Sequence, residues 1–265
     1  MTMDLLKVKD HALSFMKPAK TEVLKWFRGQ YKIDVKSDSS PVTIADRNAE
    51  EILRKKIAKY FPGHGIIGEE FGNENINAEW VWTIDPVDGT RSFIRGLPLF
   101  ASMVALLHKG DPVLGIIELP ALGETAWAVK GKGAFLNNKP LKVSKQKKLQ
   151  GAFIAVADWY CFRQQKQTSV LNKLNKEAGI VRTYPDAFGH LMAIRGAVDV
   201  MVDPLAKIWD YAPCKIFAQE AGGTFANFSG NQASIEEGTA IVGNAAIVKE
   251  AVSYTHLTLP TILRV

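Results

Sequence analysis

Two aspartates three residues apart, Asp85 and Asp88, stand in the stretch WTIDPVDGTRSF (82–93), with Pro86 between them and Gly89-Thr90 directly after. They close an apolar, strand-like run, Val81-Trp82-Thr83-Ile84. Carboxylates are costly to bury there unless cations or N–H donors meet them. Proline is tolerated at the first position of a helix, where its missing N–H has no partner anyway. The spacing therefore predicts Asp85 as an N-cap, Pro86 as the first helical residue and Asp88 as the third. Both side chains would then converge beside the amides of Gly89 and Thr90, with Gly96-Leu97-Pro98 ending the helix. A second acidic helix start is expected in KIWDYAPCKIFAQEAGG (207–223). Pro213 is acceptable there only in the first turn, which places Asp210 at or near the beginning. A third acidic element, Glu69-Glu70, follows the strand-like GIIG (65–68).

Any one of these carboxylates is most simply a cap or a solvated acid. Together they suit a hard cation, because an oxygen-only donor set without His or Cys favours Mg²⁺ over zinc or copper. Free amides at helix N-termini suit a phosphate. Carboxylates, Mg²⁺ and phosphate in one place describe metal-assisted phosphoryl chemistry. The chain has no Walker-type Gly-rich loop ending in Lys-Ser/Thr, which argues against a P-loop nucleotide hydrolase.

The elements that must position these groups are legible in outline. Residues 4 to about 28 read as a helix, and 31–42 as a loop or short hairpin. From Thr43 to Tyr60, the positions Ala45, Ala49, Ile52, Leu53 and Ile57 form one helical face, which Pro62-Gly63 ends. Strand-like runs follow: GIIGEE, WVWTID, FASMVALLH, VLGIIEL and ETAWAVKG. Their short spacings favour an antiparallel sheet. After the basic stretch near 145 the rhythm alternates: strand AFIAVAD, helix 163–178, strand IVRTY, helix 187–197, strand VDVMV, helix 210–221, strands GTFAN and TAIVG, and a helix from Asn244. That pattern implies crossover connections and a layered α/β half. The expected organisation is an N-terminal α+β half (1–145) carrying most metal ligands and a C-terminal α/β half (146–252) carrying Asp210 and substrate contacts. Residues 253–265, SYTHLTLPTILRV, abandon the helical pattern and read as a non-native or disordered tail.

Composition sets the outer bounds. The chain has 265 residues, 47% hydrophobic and 23% charged, as in an ordinary soluble globular protein. The charged opening MTMDLLKVKDHALSF gives no expectation of a secretory signal, and no apolar run approaches the roughly 20 residues of a membrane span. Cys161 and Cys214 lack metal-type spacing and read as plain thiols, Cys214 packing one turn into the Asp210 helix. A cytoplasmic location follows as the expectation. The net charge of +6 admits nucleic acid or an anionic small molecule as partner. The lysines are spread out, however, and the cluster KVSKQKKLQ (142–150) reads as a solvated loop, so nucleic acid is not expected.

At these residues the chain resembles the inositol-monophosphatase-like, Mg²⁺-dependent phosphatases. GEE, WTIDPVDGTRSF and WDYAPCKIFAQEAGG are similar, in this order, to the family's three signatures, and the resemblance runs from about residue 5 to 252. Within the family, SPVTIADRNAEE and DGTRSFIRGLPLF look most like the histidinol-phosphate phosphatase branch. The resemblance implies a layered αβαβα sandwich of the inositol monophosphatase and fructose-1,6-bisphosphatase type, two or three Mg²⁺ ions, and a homodimer. It assigns Glu69, Asp85, the carbonyl of Val87, Asp88 and Asp210 to metal, and Gly89 and Thr90 to the phosphate. Asp46 would hydrogen-bond Thr90, while Thr90 and Glu69 orient the attacking water. Lys36 would sit on a mobile loop that helps retain a further ion, or be a plain loop lysine. Arg182, Asp186, Ala187 and Asp203 occupy the substrate-facing stretches. Asp186 and Asp203 would suit a cationic amine such as histidinol better than a neutral polyol. Asp186 as a helix N-cap, Asp203 as a turn residue and Arg182 as a surface ion-pair partner are the open alternatives.

The expected reaction is hydrolysis of a small phosphomonoester by in-line attack of water, with no covalent phosphoenzyme and electrostatic stabilisation of the leaving alkoxide. Histidinol phosphate is the first substrate expectation. Inositol 1-phosphate and 3′-phosphoadenosine 5′-phosphate are the alternatives within phosphatases. A protein that binds RNA or the transcription machinery is the distant one.

Overall fold

The computed structural model describes residues 3–37, 40–205, 207–232, 234–235 and 238–255. Helix α1 (Leu5–Trp26) starts at Asp4, whose carboxylate accepts the amides of Leu6 and Lys7. Such a cap satisfies first-turn donors that have no helical partner. The helix buries Val8, Ala12, Phe15, Met16, Ala19 and Val23 along one face. A two-residue-per-strand hairpin, β1 (Asp34–Val35) and β2 (Pro41–Val42), leads to α2 (Ile44–Tyr60), capped by Thr43. Of the expected apolar face of α2, Ala45, Ala49, Leu53 and Ile57 are buried and Ile52 is half-buried. Two acids, Asp46 and Glu50, are buried on the same helix.

An eight-stranded sheet follows. Its members are β3 (Gly65–Gly68), β4 (Gly72–Glu74), β5 (Trp80–Asp88), then after helix α3 (Thr90–Phe93), β6 (Ala101–His108), β7 (Asp111–Leu119), β8 (Glu124–Val129), β9 (Gly133–Leu136) and β10 (Lys139–Pro140). The spatial order is β10-β9-β8-β7-β6-β5-β3-β4, antiparallel as expected except where β3 runs parallel to β5. Strands β6 and β7 are buried on both faces, so their sequences read as continuous apolar runs. Alternate residues feed two separate cores. Val104, Leu106, Leu114 and Ile116 pack under α1 and α2, while Met103, Ala105, Ile117 and Leu119 pack with the C-terminal elements.

The remaining chain gives β11 (Phe153–Val156), α4 (Trp159–Gln164), α5 (Thr168–Glu177), β12 (Ile180–Thr183), α6 (Asp186–Ile194), β13 (Val200–Asp203), α7 (Ile208–Glu220), β14 (Thr224–Ala226), β15 (Ala240–Gly243) and α8 (Ala245–Thr255). The five-stranded sheet has the order β12-β11-β13-β15-β14. Its first three strands are parallel, as crossover helices require, and the last two pairings are antiparallel. Helix α7 lies between the two sheets, and Tyr211 through Ala218 are buried without a break, the signature of a helix covered all round. It approaches β7 closely: a Cβ on Gly115 would stand 2.8 Å from Ile216 Cγ2. With α1 and α2 outside one sheet and α5 and α8 outside the other, the layers are αβαβα. Among the described residues no helix is long and apolar enough to cross a membrane.

Four local expectations need correction. Asp85 is not a helix N-cap. Strand β5 continues through Pro86 to Asp88, and Gly89, at φ 81°, caps the four-residue α3 instead, which stops at Phe93. The expected helix 163–178 is broken into α4 and α5 at residues 165–167. Pro213 is the sixth residue of α7, beyond its first turn, so it removes the bond that the Trp209 carbonyl would accept. The last helix does not stop at Ser253. It continues through Thr255, whose Oγ1 donates to Val252 O and Phe228 O, and Tyr254 packs against the C-terminal core. The rest of the expected tail, 256–265, lies outside the described residues.

Candidate active site

Strand β5 alone would send Asp85 and Asp88 to opposite faces, because side chains alternate with period two. The pairing with β6 slips between them: Asp85 faces Met103 and Asp88 faces Ala101, so β5 carries one extra residue. That bulge re-aims the second carboxylate, a usual role of bulges beside functional sites. It is fixed from both sides. Asp85 Oδ1 accepts the Val87 amide at 3.0 Å, and Ser102 Oγ donates to the Pro86 carbonyl at 2.7 Å. Asp210 arrives from the first turn of α7, where its Oδ2 accepts the Lys207 amide at 2.7 Å. The carboxylate oxygens of Asp85, Asp88 and Asp210 come within 4.8 Å of one another.

Glu69 follows β3, whose end lies beside the parallel end of β5, and its amide donates to Ile84 O at 3.2 Å. It shares a cavity of about 350 Å³ with Asp85, Val87, Asp88, Thr90 and Asp210. Its Oε1 is held by Lys36 Nζ at 2.7 Å, and the same ammonium reaches Glu70 Oε1 at 2.6 Å. Asp46 is fully buried: its Oδ2 accepts the amide and hydroxyl of Thr43 at 2.8 and 2.5 Å. Its Oδ1 lies 3.3 Å from the Thr90 hydroxyl, which also reaches the Val87 carbonyl at 2.9 Å. Thr43 is thus the cap of α2 and, through Asp46, a support of Thr90.

A second compartment of about 40 Å³ shares two lining residues with the first. Asp88 and Asp210 line both, and Asp186, Ala187, His190, Asp203 and Leu205 complete it. Asp186 is the first residue of α6, at φ 60°, with Pro185 in the N-cap position. Aspartate is among the residues that tolerate this left-handed backbone. The geometry lets the Ala187 amide donate to Asp88 Oδ2 across the two halves of the chain. Asp203 ends β13, and its Oδ1 accepts the Leu205 amide at 3.0 Å.

Charge is unevenly settled here. Burial first, then the neighbouring carboxylates, hold Asp85, Asp88 and Asp210 well above the usual carboxylate range. Burial and Asp203 push Asp186 up to about 7. Burial also raises Asp46 and takes Glu70 to about 7 against the pull of Lys36. Burial works to lower Lys36, but Glu69 and Glu70 outweigh it and keep the ammonium charged. The result is a concave site rich in oxygen donors and short of positive charge. Such a site can hold a divalent cation and, through it, a phosphate.

The structure brings together every residue singled out from the sequence except Arg182. That side chain is exposed on β12, an edge strand, and lines neither compartment. Cys214 is buried in α7, as expected of packing. Sequence reasoning missed His190, Lys207 and Trp209, which line these compartments. His190 stands four residues after Asp186 on α6, a spacing that places both on one helical face and was the available signal.

Comparison with known proteins gives a consistent result. The model of the inositol monophosphatase family matches residues 4–257. The chain is 37% identical over 236 residues to a histidinol-phosphatase of Chlorobaculum parvum, covering 88% of this chain and 91% of that protein. It is 34% identical to a histidinol-phosphatase of Mycobacterium tuberculosis, covering 84% and 87%. Among solved structures, the Thermotoga maritima IMPase superposes with a TM-score of 0.85 at 28% identity, covering 96% of this chain and 97% of that one.

Proposed function

We propose, from the premise that the chain belongs to the inositol monophosphatase family, that this phosphomonoesterase releases phosphate from L-histidinol phosphate in a Mg²⁺-dependent reaction. The observation that carries the substrate choice is the small compartment beside the metal-type carboxylates. Asp186 and Asp203 line it together with Asp88 and Asp210, which also line the larger cavity, so four carboxylates face the place where an organic group beside the phosphate would sit. An ammonium requires anionic or lone-pair partners and finds them there. The similarity to two histidinol-phosphatases supports the same reading.

Glu69, Asp85, the Val87 carbonyl, Asp88 and Asp210 would hold the Mg²⁺. The fit rests on the carboxylate oxygens of Asp85, Asp88 and Asp210 gathered within 4.8 Å, on Glu69 and Val87 lining the same cavity, and on the mutual repulsion that a cation would relieve. Bound Mg²⁺ supplies Lewis-acid stabilisation of charge and lowers the pKa of water. The protein groups do the positioning. Thr90, braced by Asp46 and the Val87 carbonyl, orients the attacking water together with Glu69, and Glu69 accepts its proton. The left-handed turn at Gly89 brings the start of α3 to the phosphate. Asp186 and Asp203 hold the organic part so that the ester oxygen leaves in line. No side-chain nucleophile is required.

The test is phosphate release with Mg²⁺ from L-histidinol phosphate, myo-inositol 1-phosphate and 3′-phosphoadenosine 5′-phosphate, side by side. A large preference for the first is expected. A preference for either other ester would discard Asp186 and Asp203 as amine readers while leaving the phosphatase assignment intact.

A further inference from the structure

Strand β6, ASMVALLH, is apolar for most of its length but carries a serine, and that serine is fully buried. Ser102 lies on the face of Val104 and Leu106, which pack under α1 and α2. A hydroxyl among apolar side chains is costly unless it is hydrogen-bonded. Ser102 meets that need at the bulge. Its neighbours Ala101 and Met103 pair with Asp88 and Asp85, so Pro86 and Val87 both stand opposite it without register partners. Its Oγ donates to the Pro86 carbonyl at 2.7 Å. The other edge of the same peptide unit, the Val87 N–H, donates to Asp85 Oδ1 at 3.0 Å. A peptide unit is planar, so a bond at each edge fixes its rotation about the chain. The carbonyl of the next unit, at Val87, accepts the Thr90 hydroxyl at 2.9 Å.

Resting on the reading that Asp85, the Val87 carbonyl and Asp88 hold Mg²⁺, we infer that Ser102 is a positioning residue for the metal. Its hydroxyl locks the Pro86–Val87 peptide and through it presets both the Asp85 carboxylate and the Val87 carbonyl for the ion. The chain of contacts is short. Asp85 shares its cavity with Glu69, Asp88 and Asp210, so in the empty protein like charge works to turn its carboxylate away. The Val87 N–H ties one of its oxygens down. The carbonyl and N–H of one peptide unit point in opposite directions, so the bond to Asp85 is kept while the Pro86 carbonyl is kept on Ser102. Pro86 has no N–H of its own with which to hold the turn. Without the hydroxyl the peptide gains freedom to rotate, and Asp85 loses a fixed donor. Outer partners that orient metal ligands in this way change affinity by about ten- to a hundredfold when removed.

The experiment titrates Mg²⁺ alone into chelator-treated protein by calorimetry, for the wild type, Ser102→Thr, Ser102→Val and Ser102→Ala. Phosphate release from the preferred ester of the three above is then measured against Mg²⁺ concentration for the same four. Thr and Val differ by a hydroxyl against a methyl at nearly equal volume, so crowding in the strand cancels between them. Ser102→Val is expected to bind Mg²⁺ about tenfold more weakly than Ser102→Thr. The loss should fall on the Mg²⁺ needed for half-maximal rate more than on the rate at saturation. Ser102→Ala should share the loss, and Ser102→Thr should stay close to the wild type. Equal affinities in Ser102→Val and Ser102→Thr, or a loss confined to the saturated rate, overturn the proposal. Should the larger side chains prevent folding, Ser102→Ala decides against the wild type: undiminished affinity overturns the proposal, and tenfold weakening with the saturated rate retained supports it. A merely structural serine would lower the melting point of the metal-free protein and leave the affinity of the folded fraction alone. A wild type that binds no Mg²⁺, or binds it as well after Asp88→Asn, overturns the metal reading itself, a different and separately visible failure.

Discussion

Two buried acidic groups in this protein lie close together and are treated in opposite ways. Glu50, on α2, is fully buried, yet its carboxylate is surrounded by donors. Oε1 accepts from Arg54 Nε at 2.8 Å and the Phe71 amide at 3.2 Å, and Oε2 accepts from the Glu70 amide at 2.7 Å. A Cβ on Gly68 would stand 2.1 Å from Glu50 Oε1, so the glycine is what lets the carboxylate reach the loop after β3. Asp85, nearly as buried, faces Glu69, Asp88 and Asp210 instead. An acid among donors holds the fold. An acid among acids is unfavourable until a cation arrives. Stability is thus given up locally where ligand binding restores it, and the Glu50 clamp next door keeps the Glu69–Glu70 segment in place meanwhile.

The largest expected effect tests the second half of this contrast. Asp88→Asn should lower phosphate release by about a thousandfold or more, the scale of losing an electrostatic group at a transition state, while circular dichroism and melting stay native-like. Near-native turnover would break the contrast outright. Glu50→Gln tests the first half. Removing one charge from a buried, hydrogen-bonded pair should cost about 3 kcal/mol, read as a lower urea midpoint, and a loss below about 1 kcal/mol would show that Glu50 is no clamp.

Metal removal sharpens the comparison with pH. The folded carboxyls of Asp85, Asp88 and Asp210 titrate above their unfolded values near 4. In the chelated protein their contribution to stability is therefore full below about pH 4 and is lost as pH rises through the folded values. Mg²⁺ should raise Tm more at pH 8 than at pH 5, with a stabilisation of about 2.7 kcal/mol at a hundredfold excess over Kd. An equal shift at both pH values would show that these acids are not the ligands. The smallest effect belongs to the group shared by both roles: Asp46→Ala should cost about 1 kcal/mol as a lost cap partner and lower kcat about tenfold through Thr90. Unchanged kcat with the stability loss alone would confine Asp46 to capping.

How much of this was legible in the sequence differs from residue to residue. Thr43 was readable as the start of a helix because capping depends on neighbours within one turn, whereas the return bond from its amide to Asp46 came only with the structure. Asp85 and Asp88 were readable as a pair, but the local rule chosen for them, a proline at a helix start, was the wrong one. Pro86 sits in a bulged strand, and a bulge is fixed by the partner strand, here by Ser102, seventeen residues from Asp85. Arg182 fell in a substrate-facing stretch of sequence, yet an edge strand turns it outward. His190 escaped notice because its four-residue spacing from Asp186 marks a shared helical face but says nothing of Asp203, which another element sets against it.

The sequence by itself determined the elements, because periodicity, caps and turn residues act within a few positions, and it determined the donor set, because the kinds of oxygen ligand are a matter of residue type. Tertiary structure alone decided which acids became ligand-like and which became clamps. That choice depends on who shares each carboxylate's buried space: Arg54 and two amides around Glu50, three other acids around Asp85. Solvation and charge in a folded interior are set by neighbours remote in the chain, and no local pattern records them.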